Sequence, residues 1–67
     1  MNIASTIYHT ICRYAEGGKR VVSVKLPTPL WEEYYTEDDG MKRMFKVLRV
    51  SIVDGGKIAE PEFEVKP

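Results

Sequence analysis

Cys12 is the only cysteine and His9 the only histidine in a chain of 67 residues. Those two facts constrain the fold more than any motif does. A chain this short buries only about 60% of its unfolded surface, so a lone core is marginal. Natural domains of this size draw on disulfides, a structural metal or a second copy of themselves. One cysteine cannot form an internal disulfide. One cysteine and one histidine, with no other soft ligand, nearly exclude a four-ligand zinc site, and neither a metal nor another cofactor is expected. Association is the remaining aid, and the sequence predicts a homodimer or a complex with another protein.

Apolar residues make up 43% of the chain, which points to one globular domain over residues 1–67. No apolar run approaches the roughly 18 residues of a membrane span, so no membrane partner is expected. The opening Met-Asn-Ile-Ala-Ser-Thr lacks a basic segment followed by a long apolar run. With a free thiol, that gives the expectation of a cytoplasmic protein.

Ten basic and ten acidic residues cancel, which argues against a bulk nucleic-acid coat protein. The charges nevertheless come in blocks. Residues 1–25 carry four basic and one acidic, residues 26–40 none and five. Residues 41–57 carry five and one, residues 58–67 one and three. Folding either interleaves these blocks as salt-linked neighbours or leaves one basic and one acidic face.

Ile3, Ile7 and Ile11 recur every four residues, with Ala4, Tyr8 and Ala15 on the same side, so residues 3–16 read as a helix. Gly17-Gly18 supplies the left-handed conformation that ends helices. Residues 19–26 read as a strand, with Val22, Val24 and Leu26 on one face and Val21, Ser23 and Lys25 on the other. Pro27 and Pro29 stop its ladder, since proline has no amide hydrogen to donate.

Thr28 followed by Pro29 suits a helix start, a cap and then proline at the first helical position. A short helix at 29–36 would set Leu30, Trp31, Tyr34 and Tyr35 along one side. An aromatic strand running into an Asp39-Gly40 turn is the competing reading. Met41, Met44, Phe45 and Leu48 follow a helical spacing, but Leu48, Val50 and Ile52 alternate. β-branched residues decide for a strand from about 44 to 53. Asp54-Gly55-Gly56-Lys57 signals a reverse turn. A last strand follows over 58–66, with Ala59, Phe63 and Val65 inward and Pro61 marking an edge or a bulge. The expected fold is therefore α+β, one N-terminal helix packed on a three- to four-stranded antiparallel sheet.

Catalytic chemistry finds little support. His9 and Cys12 lie three apart on the first helix, and no third residue orients them. As solvated residues the paired acids Glu32-Glu33 and Asp38-Asp39 need no catalytic explanation, and their spacing matches no calcium loop. Gly17-Gly18-Lys19-Arg20 and Gly55-Gly56-Lys57 place glycine before a cation, but neither precedes a helix as a phosphate cradle must.

Two binding readings remain. Trp31, Tyr34 and Tyr35 crowd one segment beside five acids, which is how many protein interfaces are anchored. Lys42, Arg43, Lys46 and Arg49 are threaded through apolar residues, as in single-strand nucleic-acid binders. Residues 19–35, KRVVSVKLPTPLWEEYY, also resemble the opening of ribbon–helix–helix repressors, which read DNA with a paired strand. The following FKVLRVSIV is too β-branched for the second helix of that motif, and no helix should precede its ribbon, so no family is assigned. The sequence thus predicts a small non-enzymatic binding module. Its role would be that of a homo-oligomeric accessory or inhibitory protein using the aromatic and acidic surface. The alternative is a nucleic-acid-binding regulator using the basic 42–49 region.

Overall fold

The β-branched run of Val50, Ile52 and Val53 does not begin until the chain has made another helix, and that sets the topology. In the computed structural model, which describes residues 2–37 and 40–67 with the Met41 side chain excepted, the elements are α1 (Ile3–Glu16), β1 (Arg20–Leu26), α2 (Thr28–Thr36), α3 (Met41–Leu48), β2 (Ser51–Asp54) and β3 (Glu62–Lys66). The fold is α+β, as expected. The sheet is not antiparallel. It has three strands in the order β2-β1-β3, with β1 parallel to β2 and antiparallel to β3. A strand joined to the next through two helices returns in the same direction, whereas an antiparallel neighbour would need only a hairpin. The expected Asp39-Gly40 turn and the Asp38-Asp39 pair fall outside the described residues.

The strand expected over 44–53 is thus split. Between residues 44 and 49 only Val47 is β-branched, too little to override the helical spacing of Met44, Phe45 and Leu48. Arg49 ends α3 in the left-handed conformation, with φ 59° and ψ 41°. The Arg49 amide donates to the Lys46 carbonyl at 3.2 Å and the Val50 amide to Phe45 at 2.8 Å. These are the two bonds of a Schellman ending, and the two residues that form its usual apolar pair, Phe45 and Val50, are both buried in the core cluster. α1 closes the same way. Gly18 takes φ 79°, its amide donates to Ala15, and the Lys19 amide donates to Tyr14.

α1 buries Ile3, Ala4, Ile7 and Ile11, the stripe read from the sequence. β1 buries Val21, Val24 and Leu26 rather than Val22, Val24 and Leu26. Its register against β3 skips one residue between Val21 and Ser23, and this bulge at Val22 shifts the phase of alternation. β3 begins after Pro61, so Ala59 is exposed, while Phe63 and Val65 are half-buried as expected. Phe45 and Val50 complete the core, and Leu30, Trp31, Tyr34, Ile52, Phe63 and Val65 pack around it. α1 and α2 both contact β1, α2 also meets β2, and α1 meets α2 and α3. The other sheet face, with Lys25, Ser51, Val53, Glu62 and Glu64, is exposed.

β1 is paired on both sides within its own chain. It therefore cannot form the two-copy ribbon of the repressor motif, although two helices do follow it.

Candidate interaction surface

α2 carries the three aromatic residues, and the helix divides them. Its N-terminus has no side-chain cap, because the Thr28 hydroxyl points back to the Asp54 carboxylate at 2.7 Å. Trp31 and Tyr35, four apart, stack with ring centroids 5.2 Å apart and planes 24° from parallel. Trp31 is half-buried against the core, while Tyr35 is 68% exposed. Tyr34 turns the other way and meets Phe45 of α3 at 6.1 Å. Burial, and then the Glu37 carboxylate, raises the pKa of its hydroxyl above the ordinary value. Tyr34 thus belongs to the joint between α2 and α3, and Tyr35 is the exposed ring.

Lys46 and Arg49, expected on a strand, lie instead with Lys42 and Arg43 on α3 and its left-handed cap. Lys42 is spent inside the fold. Its ammonium donates to the carbonyls of Tyr34 at 3.0 Å, Tyr35 at 3.1 Å and Glu37 at 3.1 Å. It also sits 4.7 Å from the centre of the Tyr34 ring. A lysine has three ammonium hydrogens, and here each has a carbonyl at the end of α2, where the helix dipole favours a cation. The segment after α2 is fixed from the other side as well. The Glu37 carboxylate accepts the amides of Ile3 at 2.7 Å and Ala4 at 3.1 Å, while Asn2 accepts from Ser5 at 2.9 Å. Glu37 therefore caps α1 from a distant part of the chain.

Arg43, Lys46 and Arg49 are exposed. Arg43 and Lys46 join Lys42 around a depression of about 330 Å³, floored by Tyr34, Phe45, Val50 and Ile52. Arg49 is not part of its lining. On the other flank of α3, Val47 is 72%, Met44 38% and Leu48 37% exposed. Their spacing of three and four makes one apolar stripe. Leu48 also borders a smaller depression with Ile11 and Ala15 of α1. Reading the segment as a strand hid this stripe, although the helical recurrence of Met44 and Leu48 was its signal.

Cys12 is half-buried beside Tyr8, whose hydroxyl it raises in pKa by hydrogen bonding first and charge second. His9 lies on the exposed side, tilted against the Tyr8 ring. Among the described residues no cluster of His, Cys, Asp and Glu could hold a metal ion. The Gly55 amide donates to Leu26 and the Gly56 amide to the Asp54 carboxylate, so that turn has spent the hydrogens a phosphate would need. A side chain at Gly55 would also meet the Leu26 carbonyl and the Lys25 Cβ, each 3.1 Å away. No helix among the described residues is long and apolar enough to cross a membrane. No family model, no curated protein and no solved structure matches the chain.

Proposed function

We propose that the chain is a non-enzymatic binding module, an accessory or inhibitory protein that works as a homodimer through α2 and α3. The observation that carries this reading is the exposed stripe of Met44, Val47 and Leu48 on a chain with few buried side chains. Apolar side chains grouped on one exposed helical face mark interaction sites, whereas scattered ones do not. Charge supports a particular pairing. α3 carries cations throughout and α2 exposes Glu32 and Glu33. Two α3 helices face to face would oppose like charges, so α2 of one copy meets α3 of the other. Repeated by a two-fold axis, that contact is self-complementary and closed.

Light scattering after size exclusion tests the reading. Wild type is expected as a dimer. Val47→Glu and Tyr35→Ala each weaken association by about 2 kcal/mol or more if they remove central anchors. A wild-type chain that stays monomeric up to the highest soluble concentration sinks the proposal.

One further feature favours the nucleic-acid alternative, namely three exposed cations, Arg43, Lys46 and Arg49, within two turns. That reading requires retention on a DNA or RNA column that falls steeply with salt. It also requires Lys46→Glu with Arg49→Glu to abolish the retention.

A further inference from the structure

The two edges of the sheet are treated differently by the sequence. β3 is blunted, with Pro61 just before it and Glu62, Glu64 and Lys66 exposed along it. Charges and proline are what natural sheets use to prevent further pairing. β2, the opposite edge, offers Ser51, Ile52 and Val53 before its one charge, Asp54, whose carboxylate is turned to the Thr28 hydroxyl and the Gly56 amide. Val53 is 40% exposed.

The backbone of β2 is also aimed for pairing. The Gly55 amide donates to the Leu26 carbonyl of β1. Backbone groups alternate sides along a strand, so Gly55, Val53 and Ser51 face β1. Ile52 and Asp54 then direct their N–H and C=O groups away from the sheet. Beside that edge lies the depression floored by Tyr34, Phe45, Val50 and Ile52. Arg43 and Lys46 stand exposed at its rim, while the Lys42 ammonium is already occupied by three carbonyls.

We infer that the β2 edge and the adjoining α3 groove form a binding site for an extended acidic peptide segment of a partner protein. The segment adds a strand to β2 through the backbone of Ile52 and Asp54. One apolar side chain enters the groove, and carboxylates on the segment meet Arg43 and Lys46. Main-chain bonds supply affinity and the groove supplies selectivity, as in other strand-addition sites. This site lies on a different flank of α3 from the Met44, Val47 and Leu48 stripe and goes beyond the self-association reading.

The test uses the full chain and the capped heptapeptide Thr-Glu-Thr-Phe-Thr-Glu-Thr, whose alternation sets the phenylalanine and both glutamates on one face, with the same peptide carrying lysine for glutamate as control. Amide spectra are expected to shift at residues 50–54, and the Ile52 and Asp54 amides to gain protection from hydrogen exchange. Arg43→Glu with Lys46→Glu, both exposed and outside the core, is expected to weaken binding about tenfold or more, the equivalent of ~1.4 kcal/mol. The milder pair of alanine substitutions should weaken it in the same direction. Shifts confined to another face overturn the inference, and so does equal binding of the lysine peptide. Displacement of the glutamate peptide by a single-stranded oligonucleotide also overturns it. The same titration on Val47→Glu separates the two proposals: unchanged peptide binding by that variant leaves the groove standing whatever becomes of the dimer.

Discussion

Replacing Lys42 by methionine tests whether the first of the four cations holds the fold or meets a partner. Methionine keeps most of the side-chain length beside Tyr34 and removes only the ammonium. Three carbonyl bonds at 3.0–3.1 Å are lost. A hydrogen bond to a charged group contributes about 1.5–3 kcal/mol when well formed. These three share one ammonium, and the Tyr35 bond is exposed, so they count for less than their sum. Ordering a lysine side chain costs up to ~2 kcal/mol in rotamer freedom. The ring contact with Tyr34 returns about 0.5–1 kcal/mol, and the dipole at the end of α2 about 0.3–1 kcal/mol. The net loss is about 2 kcal/mol. For a domain of 60–100 residues that lowers the melting temperature by roughly 8–16 °C. Far-UV circular dichroism under heat and under urea, at one fixed protein concentration, measures it. Retention on a nucleic-acid column should not change. Stability within ~0.3 kcal/mol of wild type would refute the reasoning, as would a loss of retention without a loss of stability.

Arg49 holds a left-handed backbone that a residue with a Cβ adopts at a cost of about 1–2 kcal/mol. Arg49→Gly relieves that strain but gains freedom in the unfolded chain, so a net stabilisation of about 0.5–1 kcal/mol is expected in urea melts; a destabilised variant contradicts the geometry. Asp54 has its carboxyl pKa held below the ordinary value by the Gly56 amide first and the Thr28 hydroxyl second, with burial opposing. A depressed folded pKa contributes stability above the unfolded value and loses it as pH falls through the folded one. Asp54→Ala should therefore be less stable than wild type at neutral pH, with the gap narrowing below about pH 4; an equal gap at both ends speaks against the carboxylate's role.

What could be read from the residues alone was whatever depended on local pattern. The stripe of Ile3, Ile7 and Ile11 located α1, Gly17-Gly18 its end, and Pro27 the end of β1. Thr28 marked the start of α2, though its hydroxyl serves the Asp54 turn instead of the helix amides. The errors arose where two periods overlapped. Leu48 belongs by spacing to Met44 and by alternation to Val50 and Ile52, and no local rule says where the first pattern yields to the second. The Schellman bonds of Arg49 and Val50 mark that point, and arginine gives no left-handed signal as glycine does. The bulge at Val22 was equally hidden, because a strand of consecutive valines tolerates either phase. Long-range capping lay further out of reach: Glu37 serves amides 33 and 34 residues away, and nothing in its neighbours predicts this.

The same reading error explains why the candidate surface was only half seen. On a strand, Lys42, Arg43, Lys46 and Arg49 would fall on alternating faces and read as a track for a polyanion. On α3 they divide by duty. Lys42 turns back to close α2, while Arg43 and Lys46 stand over the groove. Phe45 alone of the apolar residues of α3 whose exposure is described reaches the core fully, at 2% exposure, and Val47 remains outside at 72%. α3 therefore has an apolar arc wider than the face its own chain covers. Among the described residues of a single copy no further element lies against it, since α1 and α2 already pack on the sheet and on each other. An arc of that width on a domain with so small a core is a standing cost in water, which burial against the proposed partner surface would relieve. The proposed association therefore draws on α3 more than on the aromatic residues of α2: Tyr34 is half-buried and Trp31 leans on the core whether or not anything binds.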